Sequence, residues 1–203
     1  MFYKMVRLLL VLIFKLLFRY EITGKQNIPK SGPVILASNH VSYVDPILIA
    51  FAGAPRPVNY MAKSELFKIP IFGSLIRALN AFPIKRGIAD KGAIAHSLKV
   101  LSKGGVLLIF PEGTRQRSGN LGPAYPGVTS IALKTGAPIV PIGLIGTDKI
   151  LPDGRKLLRF PKLKVRIGDV IKVEKTGAKD RKQKEEELTK RLMNEINNLV
   201  TGG

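Results

Sequence analysis

The sequence predicts an α/β domain whose central sheet is mixed but mostly parallel, flanked by helices and preceded by an amphipathic helix. Three observations carry that prediction. From residue 21 onward, short apolar runs rich in β-branched residues alternate with helix-like stretches. The 203 residues suffice for one domain with a sizeable core and are too few for two of ordinary size. Hydrophobic residues make up 45% of the chain, which favours folding over disorder.

Residues 1–20, MFYKMVRLLLVLIFKLLFRY, open the chain. On a helix, Lys4, Arg7, Lys15 and Arg19 fall within an arc of roughly 120°, which leaves a broad apolar face. The longest uncharged stretch, Leu8–Phe14, is far short of the ~20 residues needed to span hydrocarbon. Lys15 interrupts the apolar run and no small-residue cleavage site follows, which argues against a secretory signal. We read 1–20 as a helix lying on a membrane surface and 21–203 as the folded domain. A core helix of that domain is the competing reading.

Strands are expected at Pro33–Ser38, Val58–Ala62, Ala81–Lys85, Val106–Phe110, Ile139–Ile145 and Leu163–Ile167. Helices are expected near Pro46–Ala52, Ile71–Leu79, Lys91–Lys103 and Val128–Lys134. The polar stretch Asp148–Pro161 reads as a long loop or hairpin turning at Pro-Asp-Gly. A last helix, about Lys179–Val200, aligns Leu188, Leu192, Ile196 and Leu199 on one face.

Composition narrows the chemistry. The chain has no cysteine, which removes disulfides, thiol nucleophiles and thiolate metal sites and suits a reducing compartment. Two histidines, His40 and His96, are too few for a histidine-rich metal site. The net charge of +19 attracts polyanions of any kind. Zinc-finger spacing and an aromatic RNA-binding signature are both missing, so nucleic acid is not the expected partner. Residues 1–145 hold 18 Lys and Arg against 5 Asp and Glu, so the excess is no basic tail.

Two polar clusters follow predicted strands, where active sites of α/β sheets tend to lie. The first is Asn39-His40-Val41-Ser42-Tyr43-Val44-Asp45-Pro46. A five-residue spacing diverges by about 140° on an ideal helix, so His40 meets Asp45 only if the backbone between them turns irregularly. Pro46 biases Asp45 away from helical geometry. A carboxylate on one imidazole nitrogen would leave the other as a general base. A plain helix start, with Asp45 capping and His40 merely exposed, explains the cluster equally well. The second cluster is Phe110-Pro111-Glu112-Gly113-Thr114-Arg115-Gln116-Arg117, in which glycine permits close approach of a ligand and the arginines suit phosphate. An ordinary basic surface loop is the alternative.

Together these clusters resemble the glycerolphosphate acyltransferase family, and its lysophosphatidic acid acyltransferases in particular. The family is marked by Asn-His-x4-Asp and Phe-Pro-Glu-Gly-Thr-Arg blocks, matched in full at 39–45 and 110–115. Ala81–Arg86 and Ala137–Ile142 resemble its two weaker blocks, and the likeness covers about 20–170. It implies transfer of a fatty acyl group from an acyl carrier protein or coenzyme A thioester to the sn-2 hydroxyl of lysophosphatidic acid. His40 would be the base and Asp45 its orienting partner. Arg86 and Arg115, with Lys63 or Arg117 helping, would hold the phosphate. Glu112, Gly113 and Thr114 would line the glycerol site. No metal or other cofactor is implied. The implied setting is an anionic membrane surface on the cytoplasmic face. A related enzyme acting on glycerol-3-phosphate or another lysolipid, and a non-catalytic protein binding anionic membrane, are the alternatives.

Overall fold

The computed structural model describes residues 2–85, 90–116, 121–151, 157–177 and 180–202. Seven strands form one sheet in the order β1-β7-β6-β2-β5-β3-β4. They are β1 (Tyr20–Thr23), β2 (Val34–Ser38), β3 (Val58–Lys63), β4 (Ala81–Ile84), β5 (Val106–Ile109), β6 (Ile139–Ile145) and β7 (Leu163–Ile167). The run β6-β2-β5-β3-β4 is parallel throughout. β7 is antiparallel to β6 and carries β1 in parallel at the edge.

Every residue of β2 is buried, as a central parallel strand covered on both faces must be. Because side chains alternate along a strand, β2 feeds two cores. Val34 and Leu36 join Phe14, Leu48, Ile49 and Phe67 under helices α1 (Phe2–Leu17), α2 (Asp45–Ile47) and α3 (Phe72–Ala78). Ile35 and Ala37 join Leu107, Ile139, Leu192 and Ile196 under α4 (Lys91–Ser102), α5 (Gly127–Thr135) and α6 (Arg181–Thr201).

Two details depart from the expected elements, and one expected turn is not described. The short edge strand β1 was not anticipated; its four residues gain their ladder only from β7, in register Tyr20↔Leu163. The stretch at Pro46 is three α-helical residues, Asp45–Ile47, followed by a π-helix, Leu48–Gly53, closed by Ala54 N–H to Ile49 O at 2.8 Å. The Pro152-Asp153-Gly154 turn lies outside the described residues.

Helix α1 has two apolar sides. Phe14 sits in the first core with Val6 and Leu10 packed against it, and Arg7 Nη2 donates to Ala54 O at 2.7 Å, which ties the helix to the domain. Leu8, Leu12 and Leu16 point away from the protein, Leu8 72% and Leu16 75% exposed. Among the described residues no helix is long and apolar enough to cross a membrane.

Helix α6 lies so close to β6 that a Cβ on Gly143 would sit 2.7 Å from Leu199 Cβ. Gly143→Ala gains about 0.4–1 kcal/mol by stiffening the unfolded chain, but overpacking costs about 1–3 kcal/mol. The variant should therefore be less stable by about 1–2 kcal/mol in urea unfolding, with faster amide exchange in α6.

Candidate active site

The parallel strands all point their carboxyl ends at one edge, and each expected site residue in the structure leaves from it. β2 runs into Asn39-His40, β5 into Phe110–Gln116, and β3 ends at Lys63. β4 runs through Lys85 toward Arg86. Arg86 and Arg117 lie outside the described residues.

His40 and Asp45 do meet. Nδ1 of His40 is 2.9 Å from Oδ2 of Asp45, and both side chains are nearly enclosed. The same oxygen accepts the backbone N–H of Val41 and of Ser42, each at 2.7 Å. Asp45 N–H reaches Ser42 O at 3.3 Å, so residues 42–45 form the irregular turn that the five-residue spacing demands. A carboxylate oxygen can only accept, so Nδ1 is the donor in this contact, and in a neutral imidazole with this proton Nε2 keeps its lone pair.

Asn39 has a role that the pattern did not reveal. Its side-chain amide donates to Leu144 O at 2.9 Å and accepts from Leu144 N at 2.8 Å. The side chain thus extends the β2–β6 ladder by one rung after the β2 backbone has turned away. Nothing local marks it, because its partner is 105 residues distant; only an amide at a buried strand end hints at such a role.

The second loop clasps the first. The ring of Phe110 stacks on His40 at 4.0 Å between centroids and 18° between planes. Gln116 N–H donates to His40 O at 2.7 Å. The guanidinium of Arg115 lies 3.4 Å from the Tyr43 ring centroid, a close cation–π contact across the mouth. Gly113 takes φ +65°, which glycine adopts without cost, and the Tyr125 ring lies 3.2 Å from where a Cβ would project.

Gly113 and Thr114 face solvent, whereas Glu112 turns inward and is 1% exposed. Neither of its carboxylate oxygens closes a hydrogen bond among the described residues. Burial pushes the carboxyl up to about 7; the backbone amides of His40 and Gly122 oppose the rise without closing hydrogen bonds, and the Asp45 charge adds to it. Lys63 stands apart from this cluster, half exposed, with Nζ 3.2 Å from Glu65 Oε1. Among the described residues no three His, Asp or Glu side chains converge as a metal ion would require.

In chemical terms, the edge pairs an oriented imidazole with a loop whose Arg115 guanidinium lies over the Tyr43 ring. Sequence comparison bears on this arrangement directly. Residues 19–145, more than half of the chain and including both loops, match the family model for Acyltransferase. The 1-acyl-sn-glycerol-3-phosphate acyltransferase of Bacillus subtilis is 31% identical over 169 residues, 83% of this chain and 82% of that protein. The chloroplastic 1-acyl-sn-glycerol-3-phosphate acyltransferase BAT2 of Brassica napus is 35% identical over 140 residues. That match takes in 68% of this chain but only 40% of the plant protein's length. The crystal structure of the 1-acyl-sn-glycerophosphate (LPA) acyltransferase PlsC from Thermotoga maritima aligns with a TM-score of 0.74 at 28% identity, covering 95% of this chain and 78% of that one. With the fold, the paired loops and the family model in agreement, the chain belongs to the acyltransferase family.

Proposed function

We propose that this protein acylates the sn-2 hydroxyl of 1-acyl-sn-glycerol-3-phosphate from an acyl carrier protein or coenzyme A thioester, giving phosphatidic acid. The observation that carries this reading is the His40–Asp45 pair, held at a sheet edge beside a loop suited to phosphate. The named relatives in bacteria and plants point to the same acceptor.

In this mechanism Nε2 of His40 takes the hydroxyl proton as the oxygen attacks the thioester carbonyl carbon. Asp45 holds the ring in the required tautomer and stabilises the imidazolium that forms. Collapse of the tetrahedral adduct breaks the C–S bond, and the leaving thiolate takes the proton from His40. The chain contains no cysteine, which suits direct transfer without a covalent thioester on the enzyme. Arg115 meets the substrate phosphate, and the family resemblance assigns Arg86 and Lys63 to the same phosphate. Arg115 is already ordered on Tyr43, so less rotamer freedom is lost when phosphate arrives. Gly113 and Thr114 approach the glycerol, while Glu112 supports their loop from beneath. The outward apolar side of α1 rests on the anionic cytoplasmic leaflet as a peripheral or monotopic contact.

The test is phosphatidic acid formation in detergent micelles with lysophosphatidic acid and each donor. His40→Ala should lower turnover by about 10²–10⁴-fold, and Asp45→Asn by a comparable factor with substrate KM little changed. Undiminished turnover in both variants would remove the mechanism while keeping the reaction. Product from glycerol-3-phosphate alone would move the assignment to a related acceptor.

Glu112 generates a separate expectation. Its folded value of about 7 lies above the ordinary 4.5, so the folded protein holds the extra proton between those values. The resulting stability is complete at low pH and is lost as pH rises through the folded value. Between pH 5 and 8 the wild type should lose on the order of 2–3 kcal/mol relative to Glu112→Gln, read from urea midpoints. Parallel pH profiles would mean that Glu112 titrates as an ordinary carboxyl.

A further inference from the structure

One strained residue lies outside the machinery described so far. Ile71 adopts φ +64°, ψ −54°, and Phe72 N–H closes onto Pro70 O at 2.6 Å, which makes a tight γ-turn of the rare, strained kind. A β-branched residue at positive φ is a true outlier. The reversal itself has a packing cause, because Gly73 is pressed against Phe67, where a Cβ would lie 2.4 Å from the carbonyl oxygen. The choice of isoleucine has none: Ile71 is 87% exposed, the most exposed large apolar side chain described. Glycine or asparagine would suit the backbone and the solvent better.

Its place in the topology gives the choice a meaning. β3 ends at the carboxyl edge of the sheet, and β4 restarts at the other edge, so the Ile71 turn lies toward the same edge as the candidate active site. On the opposite flank, β7 is antiparallel to β6, so the segment leading into it also lies at the carboxyl edge. That segment exposes Leu157, Leu158 and Phe160, with the Phe160 ring 5.5 Å from Phe18 just after α1. In strand order, the His40 and Arg115 loops on β2 and β5 fall between these two apolar lips. Exposed Lys68 sits beside one lip and exposed Arg19 and Arg159 beside the other. Apolar tips interleaved with cations complement an anionic phospholipid bilayer.

We propose that the Ile69–Phe72 turn is a second bilayer contact, distinct from α1, with Ile71 as its inserted tip. The two lips then set the carboxyl edge against the leaflet, and a lysolipid reaches His40 between them without leaving the membrane. This rests on the membrane-surface part of the proposed function, but its readouts need no turnover. Wild-type product formation in micelles tests the reaction separately.

The chain has no tryptophan, so Ile71→Trp provides a sole reporter. On vesicles of phosphatidylglycerol and phosphatidylcholine, its emission should shift to the blue and be quenched by brominated lipid. Glu186→Trp, exposed on α6 across the sheet, should do neither. Ile71→Gly should weaken vesicle binding by about tenfold while its thermal midpoint stays level or rises. A water-like spectrum at position 71 in vesicle-bound protein would overturn the proposal. So would unchanged vesicle binding by Ile71→Gly with a lowered midpoint, which would make the side chain structural. A blue shift that grows with protein concentration without lipid would instead show a second copy covering the turn.

Discussion

One oxygen atom organises the candidate site. Asp45 Oδ2 draws together two backbone amides and an imidazole N–H within 2.9 Å, and the turn from Val41 to Asp45 exists to bring them there. Two backbone N–H bonds hold the carboxylate in addition to the imidazole, so the ring is oriented by a group with anchors of its own. Burial sharpens this, because a shielded acceptor with fixed donors has few alternative arrangements. Remove that convergence and His40 loses both its tautomer and its direction.

The sheet turns this local arrangement into a site. Parallel strands deliver His40 and the Phe110–Gln116 loop to the same edge from adjacent strands, so loops about 70 residues apart in sequence can stack ring on ring. The opposite edge is held by Arg56, whose guanidinium donates to the carbonyl oxygens of Gly32 and Gly104. Asn39 stiffens the functional edge by extending the ladder with its side chain. Catalytic geometry therefore depends on long-range ladders more than on the short segments that carry the motifs.

That dependence explains what could be read in advance. The strands Val106–Ile109 and Ile139–Ile145 were legible because buried parallel strands are continuous apolar runs, and Val58–Lys63 because its buried and half-buried residues alternate at its start. Spacing alone left His40 and Asp45 undecided between a pair and a helix start, and only the folded turn distinguishes the two. β1 escaped because Tyr20–Thr23, although Tyr, Ile and Thr favour strands, is only four residues long and pairs with residues over 140 positions away. The inward turn of Glu112 was equally hidden: in sequence it belongs to a polar loop with Gly113 and Thr114, and only packing separates them. The strain at Ile71 had no sequence signature, since isoleucine after proline reads as an ordinary helix approach.

The inward carboxyl has one more consequence. A group that titrates near 7 responds to the acidity of its immediate surroundings, which need not equal that of the bulk. An anionic leaflet at about −30 mV concentrates protons roughly threefold at its surface. On such a leaflet Glu112 holds its proton more fully than in free solution at the same nominal pH. Its charge state would then follow lipid composition through the proton cloud, a coupling that requires no contact between Glu112 and any lipid.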